Sequence, residues 1–369
     1  MRIGVPREIK NHEYRVGLTP ESVAEVVARG HEVVVETAAG EGIGASDASY
    51  VKAGARIVAD AGEVFEAAQL IVKVKEPQAA ERALLRSHHV LFTYLHLAPD
   101  PQQAEELVAS GATCIAYETI TDRHGGLPLL KPMSQVAGRM SVQAGAFALE
   151  KSHGGRGLLL GGVPGVPAAK VVILGGGIVG HNAAQMAVGM RADVTVLDTS
   201  SRVLERLERE FGATLKTRYS TPLTVEAEVL AADLVIGAVL VPGAAAPKLV
   251  SRDQVAAMRK GAVLVDVAID QGGCFATSRP TTHAAPTYLV DGVVHYCVAN
   301  MPGAVARTST YALNNATLPY LLKIVQGGWQ QACREDAGLL AGVNVWRGQI
   351  THPAVASALI RPYAVPELL

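Results

Sequence analysis

The chain has 369 residues, a net charge of −1 and four scattered cysteines, Cys114, Cys274, Cys297 and Cys333. That length is too great for one ordinary core, so two domains are expected. The balanced charge leaves no basic field for nucleic acid or an anionic membrane, and cysteines without a C-x-x-C pair point to reduced thiols in the cytoplasm, with neither a disulfide frame nor a metal site.

Along the chain, strand-like and helix-like segments alternate almost throughout. Met1-Arg-Ile-Gly-Val-Pro6 reads as the start of a strand and not as a signal peptide. Strands are predicted at 2–5, 31–35, 69–74, 89–94 and 113–117, with amphipathic helices at 20–29 and 102–110. Thr19-Pro20-Glu21 is a helix entry, with Thr as N-cap, Pro at the first helical position and an acid in the first turn. A long helix is expected near 134–152. The apolar stretch 157–180 is broken by Pro164, Pro167 and Lys170, so it is not a membrane span.

Residues 170–198 carry the strongest signal. The apolar run Lys170–Leu174 ends in Gly175, Gly177 and Gly180, spaced G-x-G-x-x-G. A helix-like run of small apolar residues follows, and then a second strand closing on Asp198. Strand, glycine turn, helix, strand and acid together form the full dinucleotide-binding context. Gly175 permits the tight turn, Gly177 lets the backbone approach a pyrophosphate, and Gly180 lets the helix sit against the strand. The helix N-terminus offers free N–H groups to phosphates. Asp198 accepts hydrogen bonds from ribose hydroxyls and repels a 2′-phosphate, which favours NAD over NADP.

Further strands are predicted at 193–197, 233–239, 262–267 and 286–297, with a helix at 200–211. After residue 305 the strands are expected to stop, leaving helices at 309–326 and 328–342. That remainder is too small for its own core. The economical arrangement is α/β: two doubly wound Rossmann-like domains, with the NAD-binding domain (134–306) inserted into a discontinuous substrate domain (1–133 and 307–369). The site is then expected in the cleft between them.

Charged residues follow several of these strands, where doubly wound sheets place their sites. Lys75 lies in Val72-Lys-Val-Lys75-Glu-Pro77, His96 ends Leu91-Phe-Thr-Tyr-Leu-His96, and Asp270 precedes Gln-Gly-Gly. Arg15 lies in the polar loop after the first strand. A hydride-transfer site for a small amino or hydroxy acid needs this set: cations for a carboxylate, a group that moves a proton, and a partner that orients it. Each residue also has a plainer reading. Arg15 can form a surface bridge with Glu8 or Glu13, Lys75 can be a solvated turn lysine, His96 a capped strand-end residue, and Asp270 a turn former. Asp266, inside an apolar run, reads as a buried structural acid.

With these residues the chain resembles the alanine dehydrogenase family, which also holds the nucleotide-binding subunit of proton-translocating transhydrogenase. The matching segments span nearly the whole length. They are Arg15-Val-Gly-Leu-Thr-Pro20, Val74-Lys-Glu-Pro77, Thr93-Tyr-Leu-His-Leu-Ala98, Ala116-Tyr-Glu118 and Pro132-Met-Ser-Gln-Val-Ala-Gly-Arg139. Beyond these come the Gly175–Gly180 turn, Ile236–Gly243, Asp266–Gly273 and Val298-Ala-Asn-Met-Pro302. The resemblance implies reversible NAD-dependent oxidative deamination of L-alanine to pyruvate and ammonium, in a cytoplasmic homo-oligomer, often a hexamer. It implies Arg15 and Lys75 on the substrate carboxylate and carbonyl oxygen, His96 as general acid/base, and Asp270 on the reacting amine or hydroxyl. It implies NAD contacts at Ser134, Gly175, Gly177, Gly180, Asp198, Arg202, Ser220, Val239, Leu240, Val267, Ile269, Asp270, Val298, Asn300 and Met301. Two positions depart from the family pattern. Gly176 replaces an alanine of many members, which is expected to be harmless. Val203 replaces a basic residue of several, with Arg202 as the expected substitute. A transhydrogenase-type subunit and a non-catalytic NAD-binding protein are the alternatives.

Overall fold

The computed structural model describes residues 1–239 and 246–366. The chain divides into two compact units, Met1–Met133 with Gly303–Leu369, and Ser134–Pro302. In the first, strands β1 (Arg2–Val5), β2 (Glu32–Glu36), β3 (Arg56–Val58), β4 (Leu70–Val72), β5 (Val90–Thr93) and β6 (Thr113–Ala116) are all parallel, in the order β3-β2-β1-β4-β5-β6.

The second unit repeats the plan. Strands β7 (Lys170–Leu174), β8 (Asp193–Asp198), β9 (Lys216–Tyr219), β10 (Leu234–Gly237) and β11 (Val263–Asp266) are parallel. Then β12 (Thr287–Val290) and β13 (Val293–Tyr296) form a hairpin whose second strand joins β11. The order β9-β8-β7-β10-β11-β13 is the doubly wound dinucleotide-binding order. The inner strands β7, β8, β10 and β11 are buried on both faces, as their continuous apolar runs require, whereas β9 and β12 at the sheet edges are largely exposed. Val171 and Ile173 of β7 pack into one layer, Val172 and Leu174 into the other.

Two sequence expectations fail here, for one reason. The run 286–297 is not one strand but the β12–β13 hairpin, turned at Asp291-Gly292 with φ of +50° and +78°. Strands also do not stop after residue 305. Beyond the helices Ala306–Gly327, Trp329–Glu335 and Ala337–Leu340 come β14 (Val343–Trp346) and β15 (Gln349–Ile350). β14 pairs antiparallel with β6, and β15 pairs with β14 around Arg347-Gly348, with φ of +48° and +69°. Both misses are two-residue turns ending in glycine, with both central residues left-handed, the geometry that matches strand twist in tight hairpins.

Helix starts follow local chemistry. Thr19 caps Pro20–Val27 by accepting the Ser22 N–H at 3.2 Å. The long helix Ala306–Gly327 presents Thr310 and Asn314 to the loop after β1. Asn314 accepts the Thr19 N–H at 2.9 Å and donates to the Gly17 carbonyl at 3.1 Å. These bonds dock the loop that carries Arg15.

Candidate active site

The sheet order reverses between β1 and β4 in the first unit and between β7 and β10 in the second. Loops at the carboxyl ends of strands flanking such a reversal form binding crevices.

In the first unit those loops carry Arg15, after β1, and Lys75, after β4, and His96 follows the adjacent β5. Arg15 is 2 % exposed, so the surface-bridge reading fails. Its Nε and Nη2 donate to the two oxygens of buried Glu13 at 2.6 and 2.5 Å, and its Nη1 approaches the Met133 sulfur at 3.0 Å. Burial opposes the guanidinium charge, but Glu13 outweighs it and holds the pKa above its ordinary value. Lys75 is mostly buried too, with its Nζ 4.0 Å from Glu76 Oε2. Burial pushes the Glu76 carboxyl up, yet Lys75, Lys10 and His96 together hold it below its usual range.

His96 has a left-handed backbone, φ +49°. Such a conformation is costly for a residue with a Cβ and is found where the surroundings enforce it, often at active sites. Here Glu118 enforces it, accepting the His96 N–H at 2.6 Å and the Leu95 N–H at 3.2 Å. The imidazole stacks on Tyr94, ring centres 5.7 Å apart. Tyr94 is itself fixed, donating its hydroxyl to the Leu129 carbonyl at 2.5 Å.

In the second unit Gly175 has φ +99°, and a Cβ there would meet the Ala238 carbonyl oxygen at 2.8 Å. A Cβ at 180 would drive into the Gly175 carbonyl oxygen, whereas one at 177 would meet nothing within 4 Å. Gly177 caps the helix Ile178–Gly189 without a side-chain hydrogen bond, while Ser200, Thr221 and Ser251 cap the helices Ser201–Phe211, Pro222–Ala231 and Arg252–Ala257. The leading N–H groups of that glycine-fronted helix are therefore left to a ligand. Asp198, at the end of β8, accepts the Gly176 N–H at 2.7 Å and the Ser200 N–H at 2.8 Å. This orients its carboxylate beside the turn with lone pairs left for ribose hydroxyls. The residues present fit NAD.

The other predicted contacts are distributed over the same unit. Val239 follows β10, and Leu240 lies outside the described residues. Ser220 follows β9 and donates its N–H to the Asp198 carbonyl at 3.0 Å. Ser134 lies in the helix Lys131–Ala148, and Arg202 is exposed on the helix after β8. Val267, Ile269 and exposed Asp270 lie in the single turn Val267–Gln271, and Asn300 has φ +64° after β13. Ile269, Val298 and Met301 are buried.

Both departures from the family pattern read differently in three dimensions. Gly176 is not an indifferent position, because a Cβ there would lie 2.6 Å from Val203 Cγ1 and 3.0 Å from Leu207 Cδ1. Beside Val203, a further cation reaches the turn: Arg206, whose Nη2 donates to the Gly176 carbonyl at 2.8 Å.

Sequence reasoning gave no supporting role to Glu118, Glu8 or Lys73, and did not see how Asp266 serves the site. Asp266 is fully buried and anchors the Asp270 turn. Its Oδ1 accepts the Ala268 N–H at 3.1 Å. Its Oδ2 accepts from the Cys274 N–H at 2.9 Å and the Ser278 hydroxyl at 2.5 Å. Burial raises its pKa in spite of these donors.

Two doubly wound sheets, one with a glycine-fronted helix and an acid at the next strand end, define a dinucleotide-binding protein. The family models described as "Alanine dehydrogenase/PNT, N-terminal domain" and "Alanine dehydrogenase/PNT, C-terminal domain" match residues 4–137 and 141–353. The chain belongs to the alanine dehydrogenase/PNT family. It is 61 % identical to an alanine dehydrogenase of Halomonas elongata over 97 % of this chain and 96 % of that one. It is 55 % identical to one from Mycolicibacterium smegmatis, covering 98 % of each. A solved L-alanine dehydrogenase matches at a TM-score of 0.95 and 52 % identity, covering both chains completely. A transhydrogenase structure from Sinorhizobium meliloti matches at 0.81 and 25 %, over 96 % of this chain and all of that one.

Proposed function

We infer that this chain catalyses the reversible, NAD-dependent oxidative deamination of L-alanine to pyruvate and ammonium. The observation that carries the reading is the set Arg15, Lys75 and His96 at the carboxyl ends of one parallel sheet, in a chain similar to alanine dehydrogenases over its whole length. In this reading residues 134–302 hold NAD and the rest holds the substrate.

Arg15 and Lys75 bind the substrate carboxylate, and Lys75 also polarises the carbonyl oxygen of pyruvate. When bound, NAD⁺ accepts the hydride that leaves Cα. His96 takes the proton from the water that attacks the resulting imine carbon and returns one to the departing nitrogen. Asp270 binds the reacting amine or hydroxyl and orients the water. Asp198 holds the ribose hydroxyls and excludes a 2′-phosphate. Ser134, Arg202, Ser220, Val239, Leu240, Val267, Ile269, Val298, Asn300 and Met301 complete the NAD contacts.

The test is reduction of NAD⁺ by purified protein given L-alanine alone, with the reverse reaction from pyruvate, ammonium and NADH. No NAD⁺ reduction would overturn the reading and favour a partner-dependent transhydrogenase-type subunit. Among the described residues no helix is long and apolar enough to cross a membrane. The family expectation adds a cytoplasmic homo-oligomer of six subunits, which sedimentation equilibrium checks.

A further inference from the structure

Lys75 is placed by a buried charge network. Lys73, just past β4, still donates its N–H to the Phe92 carbonyl at 3.1 Å. The next two N–H groups, of Val74 and Lys75, leave that pattern and converge on Glu8 Oε1 at 2.6 and 3.3 Å. On its other side the Lys75 carbonyl accepts the Thr93 hydroxyl at 3.0 Å. The Lys75 peptide is thus gripped at both ends.

Glu8 is almost completely buried, and a buried carboxylate is tolerated only with a counter-charge. Lys73 supplies it. Its side chain is fully buried, with Nζ 3.0 Å from Glu8 Oε2 and 2.6 Å from Glu81 Oε1. Glu81 differs from Glu8 in its second contact. Its other oxygen accepts the Gln78 N–H at 2.7 Å, capping the helix Ala79–Arg82 away from the Lys75 peptide. One ammonium therefore serves two carboxylates, and only Glu8 reaches the residues that carry the substrate cation.

We propose that Glu8 is a positioning residue for substrate-carboxylate binding, fixing the origin of the Lys75 side chain, with Lys73 as the internal counter-ion that permits a carboxylate there. The proposal rests on the reading of Lys75 as a substrate-binding cation. A neutral isostere cannot do this work. Glutamine has one acceptor oxygen and one donor amide, so either orientation sets donor against donor, at Lys73 or at Val74 and Lys75.

The experiment measures the dissociation constant for pyruvate by calorimetry on NADH-saturated enzyme, together with NADH affinity and melting temperature. E8Q is expected to weaken pyruvate binding about tenfold and leave NADH affinity unchanged, because the nucleotide-binding turn lies in the other unit. E81Q removes the other carboxylate from Lys73; it is expected to lower the melting temperature and keep pyruvate affinity within about twofold of wild type. In a K75A background E8Q is expected to add no further loss. Wild-type pyruvate affinity in E8Q, equal losses in E8Q and E81Q, or an undiminished E8Q effect in K75A would each overturn the proposal. If E8Q fails to fold, E8Q/K73M removes the stranded ammonium with the carboxylate. The same tenfold loss is then expected, and wild-type pyruvate affinity would overturn the proposal. K75A alone separates the two levels: unchanged pyruvate affinity there sinks the substrate-site reading itself.

Discussion

His96 combines a left-handed backbone with a partly buried side chain, and the strain is maintained by two N–H bonds to Glu118. As a general acid/base, its removal in His96→Ala should cut turnover by about two to four orders of magnitude. NADH affinity, measured by fluorescence, should persist; near-normal turnover removes His96 from the mechanism. Arg15 behaves differently, because it is half of a buried ion pair. Arg15→Ala strands the Glu13 carboxylate and should cost about 3–5 kcal/mol of stability in urea unfolding, besides weakening pyruvate binding. Arg15→Met with Glu13→Gln should recover much of the stability and none of the binding. If the single Ala variant is as stable as wild type, Glu13 is not anchored by this pair. His96, Lys75 and Asp270 were legible because each follows a predicted strand. Glu8 and Lys73 were not, because their pairing joins residues 65 positions apart in sequence, and no local pattern encodes it.

The glycine turn illustrates what a linear motif conveys about an element and what it omits. The turn at Gly175 and the close packing at Gly180 were legible because each depends on backbone alone, and a Cβ at 177 meets only open space. Gly176 was misjudged because its constraint comes from Val203 on the next helix. Gly176→Ala should therefore cost about 1–3 kcal/mol through overpacking and weaken NAD binding. Adding Val203→Ala should restore part of both, a coupling that a double-mutant cycle of calorimetric NAD affinities measures. Additive effects would show that the two positions do not touch. Asp198 holds the same turn through Gly176 and Ser200, so Asp198→Ala should narrow the preference for NAD over NADP mainly by losing NAD affinity. Equal use of both cofactors by the unaltered protein contradicts that role. The hairpins at 291–292 and 347–348 were missed because a break of two turn residues is too brief for periodicity to mark.

For the whole molecule, alternation of strand and helix sufficed to read two doubly wound sheets, because parallel strands buried on both faces are written as continuous apolar runs. Their charge balance sets a pH response. His295 donates from Nδ1 to the Val293 carbonyl and accepts the Thr277 hydroxyl at Nε2, while His89 accepts the Arg86 N–H and donates to the Phe65 carbonyl. Both rings are neutral in these arrangements, and burial lowers both pKa values. A base with a depressed pKa stabilises the fold above its unfolded value and loses that contribution as pH falls. The melting temperature should thus begin to drop below about pH 6.5. His295→Asn should flatten part of that slope, and an identical slope in the variant would exclude His295. The return of β14 to β6 has a consequence for synthesis. When the ribosome has made Ala116, the inner sheet of the first unit still lacks its neighbour, and that strand arrives only with Val343. All of the intervening 134–302 unit is contiguous and can fold first. Throughout that interval the nascent chain carries an unpaired β6 edge that is buried in the finished fold. The protection of that edge during synthesis therefore waits on the late delivery of one four-residue strand.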